Sequence, residues 1–577
     1  MKNVLSATDS YKISHRAFEF PGTEYIYSNL TPRTSKYFPI PSEAFSGKAT
    51  FFGLQYFIKH VLIESWNENF FKQPKEKVIA RFKRRCDTHL GKNNIDMSCF
   101  EALHDLGYLP IVIKALPEGA AVPMKVPFLT IKNTHPKFSW LTNYLETILS
   151  CTLWKPCFSA TIIKEYKRVV NQYADETIGN RNNTQFSLHG FECRGMNGYQ
   201  DAALAGAGVL LSTCGTDTVL AIDLLEDYYG ANAEKELIGL SVPASEHAVS
   251  SLGSSVEDEF TFFKRAITEY YPKGIVSIVA DTFDYFKFIT EFASKLKTEI
   301  LNRPVNEFGL SKVVFRPDSG DQIRVICGEN YKDYTSKCAD FNRAKDYALE
   351  DIIIEVGEET PHGECGEGEV SRIFKYGDNF YKIKAEIDWN RHDKQYYYID
   401  GYRVISCEET ELTPEQKGTI QCLWEIFGGT VTEKGFKVLH ERVGCILGDG
   451  CDYRVIKGTL EGLKQKGFAS SNIIFGVGSY SHVASRDSLG IAQKATWAQV
   501  NGIGYDLFKA PKTDSGGMKK SAKGLLRVDK INGEYVLKDQ CTPEEETGGE
   551  LKEVFRDGKL LIDYSLADIR ARVAEMC

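Results

Sequence analysis

The sequence predicts an α/β fold of the (β/α)8-barrel kind, and three observations carry that expectation. Short apolar runs rich in β-branched residues alternate with helix-length segments. The runs are 275–280, 313–315, 443–447 and 473–475, with helices expected at 285–296 and 453–466. Each run ends in charged or glycine residues: Asp281, then Arg316-Pro317-Asp318-Ser319-Gly320, then Gly448-Asp449-Gly450, then Gly476-Val477-Gly478-Ser479. A barrel builds its active site from such residues at the carboxyl ends of its strands. The last two loops are glycine-rich, as expected where backbone N–H groups cradle a phosphate. An open doubly wound sheet would give the same pattern and stands as the alternative.

The remaining elements follow in chain order. Residues 111–116 and 126–131 are short apolar runs, and 140–149 predicts a helix. Between Gly320 and Leu412 the alternation breaks. That segment is rich in charge and aromatics (Phe380, Tyr381, Tyr396, Tyr397, Tyr398) and contains Asp400-Gly401, a hairpin-turn signal. It predicts a β-rich insertion at about 321–411, carried on a loop of the barrel. The insertion ends at Thr413-Pro414-Glu415-Gln416, a capping box with proline at the first helical position. Ser565 to Asp568 is a second helix start, leading into 569–576.

At 577 residues the chain exceeds one ordinary core and predicts two or more domains. A net charge of -8 argues against wholesale attraction to nucleic acid or an anionic membrane. Residues 1–15 lack the apolar stretch of a signal peptide. The uncharged run 202–216 is glycine-rich and shorter than the roughly 18 residues of a membrane span. The 15 cysteines are odd in number and form no C-x-x-C pair, which predicts reduced thiols in a cytoplasmic protein.

The phosphate-loop signature and a complete dinucleotide fingerprint are absent, so bound phosphates would have to be held by arginines and glycine loops. In Arg316-Pro317-Asp318-Ser319-Gly320 a guanidinium fork suits phosphate oxygens, and the carboxylate two residues on suits a ribose diol. A capped turn with a surface salt bridge fits the same five residues. In the run 189–195, Phe191 is placed to stack on a flat heterocycle and Arg194 to meet an anion, although Phe191 alone fits a core position. Asp217 fits a helix cap equally well. His247 follows Glu246; beside carboxylates it would act as nucleophile or proton carrier, with Asp281 or Glu246 orienting the ring. Lys519, Lys520 and Lys523 fit a solvated loop.

Taken in order, the segments 8–15, 189–195, 215–218, 241–247, 278–284, 316–320, 448–450, 476–478 and 500–504 resemble the nicotinamide phosphoribosyltransferase family. The resemblance covers most of 1–320 and 412–577. It implies a type II phosphoribosyltransferase fold, with an irregular barrel at 156–486 carrying the insertion. An α+β domain would be formed from 1–155 and 487–577. It also implies a head-to-tail homodimer with shared active sites. By the resemblance, Tyr11 (from the neighbouring subunit), Phe191, Asp217 and Arg316 would hold nicotinamide. Arg194, Arg316, Arg486, Gly448, Asp449, Gly478 and Ser479 would hold phosphate and pyrophosphate. His247, Asp281 and Asp318 would form the catalytic set, with His247 phosphorylated from ATP. Mg²⁺ is implied as a cofactor, with no protein ligand set assigned.

The implied reaction joins nicotinamide to the phosphoribosyl group of phosphoribosyl pyrophosphate. A carboxylate at 217 favours a carboxamide donor over nicotinate. Nicotinate phosphoribosyltransferase and a catalytically silent scaffold are the alternatives. Two departures stand out: Cys193 replaces a common tyrosine, and Ser479 replaces a glycine in a loop one residue shorter before Arg486.

Overall fold

Strands from the two ends of the chain interleave in one sheet. The computed structural model describes residues 3–359, 365–390, 398–448, 450–509 and 521–575. Its seven-stranded antiparallel sheet runs in the order Ile503–Asp506, Ala492–Val500, Thr23–Thr31, Leu129–Asn133, Ile111–Ala115, Lys552–Arg556 and Lys559–Leu560. Thr23–Thr31 lies between Leu129–Asn133 and Ala492–Val500, so Tyr27 faces Lys132 on one side and Trp497 on the other. Covered on both edges, this strand buries Ile26 to Leu30. An α+β assembly of N- and C-terminal segments is therefore present.

The helix expected at 140–149 is much longer. After the short turn Leu141–Tyr144 it runs as Glu146–Thr177, 32 residues with Pro156 inside. From 152 to 167 the helix is buried almost all round, Leu153, Cys157, Phe158, Ala160, Ile162, Ile163 and Tyr166 included, so that stretch lacks the polar face whose periodicity would reveal it. The boundary expected at 155/156 falls inside this helix. The chain forms two compact units instead: Met1–Ser241 with Gly448–Ile456 and Ile474–Cys577, and Val242–Leu447 with Lys457–Ile473.

Each unit holds parallel strands. In the first, Leu188–Gly190 pairs with Gly215–Thr216 on one side and Ile474–Val477 on the other. In the second, Lys312–Arg316 lies between Ile275–Val279 and Val443–Leu447. Their interiors are buried on both faces, as parallel strands covered by crossover helices are. The stretch 240–245 pairs at each end within the unit that holds that end: Leu240 bridges Gly215, and Ala244 bridges Ser277, both in parallel. The architecture is the irregular, curled α/β half-barrel type, with six named parallel strands among the described residues where an ideal barrel has eight. The predicted helices stand at Tyr285–Lys287, continuing through a π-turn at Phe288–Phe292 to Ala293–Lys295, and at Tyr453–Gln465.

The insertion is β-rich but not only β. Lys332–Asp333, Cys365–Tyr376, Asn379–Asn390 and Tyr398–Thr410 form a four-stranded sheet. A helix the sequence did not announce, Phe341–Glu359, packs Ala344, Ala348, Ile352 and Val356 against Phe374, Ile383, Ala385 and Ile387. Asp400-Gly401 is not a turn. Both lie within Tyr398–Thr410, where the register slips between Asp388 and Trp389 and leaves Asp400 as the extra residue of a bulge. The tight hairpin turn is at Gly377-Asp378, where Gly377 has φ +66°. Tyr396 and Tyr397 lie outside the described residues.

Thr413 and Gln416 form the expected capping box, and so do Ser565 and Asp568. Among the described residues no helix is long and apolar enough to cross a membrane.

Candidate active site

His247 is the first residue of the helix His247–Val256 and is half exposed. Asp281 stands just beyond the strand Ile275–Val279, with its side chain 5% exposed. Its Oδ1 lies 3.1 Å from Nε2 of His247, so Nε2–H donates to it. The other oxygen accepts the backbone N–H of Asp318 at 3.0 Å and the hydroxyl of Ser319 at 2.6 Å. Asp318 Oδ2 comes within 3.7 Å of Nδ1 of His247. Asp281 therefore orients the ring; Glu246 shows no bond to it. The three residues of the expected catalytic set meet in one unit.

The run 316–320 is held by these bonds rather than by an internal salt bridge. Arg316 Nη2 donates to the carbonyl of Ser245 at 3.2 Å, and its Nε is buried with no partner in the structure. A buried donor without an acceptor is costly, and a ligand oxygen would relieve it. Gly320 sits at φ +82°, which permits the turn.

In the other unit, Asp217 Oδ1 accepts from Nε2 of His189 at 2.9 Å and from Oγ of Ser241 at 2.5 Å. The carboxyl remains 44% exposed. The following helix, Val219–Tyr229, has Thr218 at its N-cap position, so Asp217 stands one residue before the cap. Phe191 is neither core nor free: its ring lies 4.9 Å from that of His189, and its N–H is fixed to the carbonyl of Val477. Arg194 is exposed in the turn Cys193–Gly195, beside the exposed thiol of Cys193.

Gly478 and Ser479 follow the strand Ile474–Val477, and Gly448 follows Val443–Leu447. Asp449 lies outside the described residues, as do Lys519 and Lys520. Gly195 packs directly on Ser479: a Cβ at 195 would stand 2.7 Å from the Cα of Ser479.

Arg486 is half exposed in a turn capped by Ser485, with Asp487 at 2.9 Å. Two cations the sequence did not single out share its field. Burial holds the Lys494 ammonium below its ordinary range; Glu146 opposes this, while Arg33, Lys12 and Arg486 reinforce it. Burial likewise lowers Arg33, with Arg486 adding to it and Asp487 opposing. Tyr11, 56% exposed on the helix Ser10–Phe18, also feels Arg486. Such a cluster suits a polyanion.

Glu192 is the other omission. It is fully buried, accepts from Oγ1 of Thr218 at 2.7 Å, and leaves Oε1 without a partner in the structure. Burial, helped by the charge of Asp217, pushes its carboxyl up to about 7.

Over 574 residues the chain is 45% identical to the nicotinamide phosphoribosyltransferase of Acinetobacter baylyi, covering 99% of this chain and 97% of that one. The chain belongs to the nicotinamide phosphoribosyltransferase family.

The profile of the nicotinamide phosphoribosyltransferase N-terminal domain matches residues 3–105. That of the nicotinate phosphoribosyltransferase (NAPRTase) family matches 186–343 and 391–559, skipping residues inside the insertion. The nicotinamide phosphoribosyltransferase of Xanthomonas campestris is 26% identical over 99% of this chain and 98% of its own. Among solved structures, nicotinate-nucleotide pyrophosphorylase from Pyrococcus furiosus aligns with a TM-score of 0.46 and 13% identity, covering 99% of this chain and 95% of that one.

Proposed function

We propose that the protein transfers the 5-phosphoribosyl group of phosphoribosyl pyrophosphate to nicotinamide, giving nicotinamide mononucleotide and pyrophosphate in NAD salvage. The observation that carries this reading, beside family membership, is the carboxylate of Asp217, fixed by Ser241 and by His189, whose ring lies against that of Phe191. A fixed carboxylate accepts from the carboxamide of nicotinamide and repels the carboxylate of nicotinate.

The pyridine nitrogen attacks the ribose carbon with its own lone pair, so no general base is required. The demand is electrostatic: an oxocarbenium-like ribose forms as pyrophosphate departs, and cations and N–H donors aimed at the leaving oxygens lower that barrier. Arg194, Arg316 and Arg486, together with Arg33 and Lys494, would meet those oxygens. Gly448, Asp449, Gly478 and Ser479 would hold the ribose 5-phosphate and its surroundings. Among the described residues no group of three or more His, Cys, Asp or Glu is arranged to hold a metal. Mg²⁺ would arrive on the pyrophosphate, as suits an ion that keeps most of its water and binds substrate phosphates.

His247 would take the γ-phosphoryl group of ATP. With Nε2–H on Asp281, Nδ1 keeps the lone pair that attacks phosphorus. The bond to the bridging oxygen breaks, ADP leaves with that electron pair, and Asp281 stabilises or accepts the ring proton. As the first residue of a ten-residue helix, His247 would place its phosphate at a favourable dipole end. The working form would be a cytoplasmic homodimer in which the exposed Tyr11 closes the partner's nicotinamide site.

The test is product formation from phosphoribosyl pyrophosphate and Mg²⁺ with nicotinamide or nicotinate, each with and without ATP. Mononucleotide from nicotinamide, stimulated by ATP, is the expected result. Product from nicotinate alone would overturn the assignment of Asp217, and a His247→Ala protein that keeps full ATP stimulation would overturn the phosphohistidine step.

A further inference from the structure

We propose that Ser481 and His482 are positioning residues for the ribose 5-phosphate: His482 aims the N–H of Ser479, and Ser481 locks its loop to the neighbouring glycine loop. This rests on reading Gly478 and Ser479 as the phosphate loop.

The tight turn Ser479–His482 divides its side chains sharply. Tyr480 is 68% exposed, whereas Ser481 and His482 are 2% and 5% exposed. His482 Nδ1–H donates to the carbonyl of Gly478 at 3.0 Å. That carbonyl belongs to the peptide whose N–H is that of Ser479. In a trans peptide the two bonds point in opposite directions, and no cis peptide is present. A carbonyl drawn inward to a buried imidazole therefore turns the Ser479 N–H away from the interior, toward a ligand. The proton must sit on Nδ1 for this to work. The ring is enclosed beside Phe158, and burial pushes its pKa down to about 4, so it is neutral with that proton in place.

Ser481 supplies the second fixing point. Its hydroxyl donates to the carbonyl of Cys451 at 2.7 Å, and the N–H of Cys451 donates to the carbonyl of Gly476 at 3.3 Å. The loop after Gly448 and the loop after Val477 thus hold each other. Such side-chain anchoring matches a loop in which Ser479 stands where a glycine was expected.

Substitution separates positioning from simple stability. His482→Leu keeps the volume and removes the donor; His482→Asn restores an N–H close to Nδ1. The expected result is a KM for phosphoribosyl pyrophosphate raised about tenfold in His482→Leu, the loss of roughly one hydrogen bond. The KM for nicotinamide should stay within about twofold, and His482→Asn should recover most of the loss. If His482→Leu does not fold, Ser481→Ala decides by the same pair of KM values. An unchanged phosphoribosyl pyrophosphate KM, or an equal rise in both, would overturn the inference. A wild-type protein that does not use phosphoribosyl pyrophosphate would instead overturn the underlying functional reading.

Discussion

Asp217 is a carboxylate with two donors already on one oxygen, and that geometry decides what a substitution there should do. Asp217→Asn keeps the shape but not the charge; kcat/KM for nicotinamide should fall about tenfold or more while that for nicotinate rises, measured with both substrates side by side. Two buried carboxyls make a prediction about stability. Burial raises Glu118 and Glu192 to about 7 from an ordinary 4.5, so the folded state binds more protons than the unfolded one between those values. Their contribution is full below about 4.5 and is lost as pH rises toward 7. His482, lowered to about 4, acts with the opposite sign between 4 and 6.5. With two carboxyls against one imidazole, the urea midpoint should drop from pH 5.5 to 7.5, and Glu118→Gln should flatten that drop. Asp281 was legible because it ends a predicted strand, whereas for His247 the sequence left Asp281 and Glu246 open as partners, and only the structure chose Asp281. Glu192, Arg33 and Lys494 were not, since a lone charged residue in a sequence reads as solvent-facing until its burial is known.

At the scale of elements, the loop at Gly478-Ser479, proposed above to hold phosphate, and the turn Cys193–Gly195 are in contact with no room between them. Gly195→Ala would force a methyl group onto the backbone of Ser479, and displacing that backbone should cut kcat/KM for phosphoribosyl pyrophosphate at least tenfold with little change in Tm. The measurement is steady-state kinetics beside a thermal melt; unaltered kinetics would mean the two loops move independently of the bound phosphate. Four of the parallel strands could be read from sequence because burial on both faces leaves a continuous apolar run, whereas Leu188–Gly190 and Gly215–Thr216 are too short to leave one. The helix Glu146–Thr177 could not be read, because burial almost all round from 152 to 167 removes the polar face there and Pro156 mimics a stop. The helix Phe341–Glu359 was hidden differently. Its apolar face is partly alanine, at 344 and 348, amid a strongly charged sequence.

For the whole molecule, the insertion leaves and returns at one place. The N–H of Glu329 donates to the carbonyl of Gln416 at 3.0 Å, and the inserted sheet and helix have a hydrophobic core of their own. Replacing 330–412 with a short flexible linker should therefore leave a folded protein with nicotinamide phosphoribosyltransferase activity, scored by Tm and kcat. Loss of activity in a folded product would assign the insertion a part in catalysis. The union of both chain ends was legible only through the family resemblance, and the boundaries of the two units were not legible at all, because long-range packing rather than composition sets them. That union also bears on how the protein is made. Thr23–Thr31 leaves the ribosome early, yet its neighbour Ala492–Val500 is about 460 residues further on. At roughly 5–20 residues per second, the first strand waits about 25 to 90 seconds with one hydrogen-bonding edge open. Nascent chains of this protein should accordingly depend on holding chaperones throughout synthesis, and polypeptides released before the last strands should aggregate rather than work.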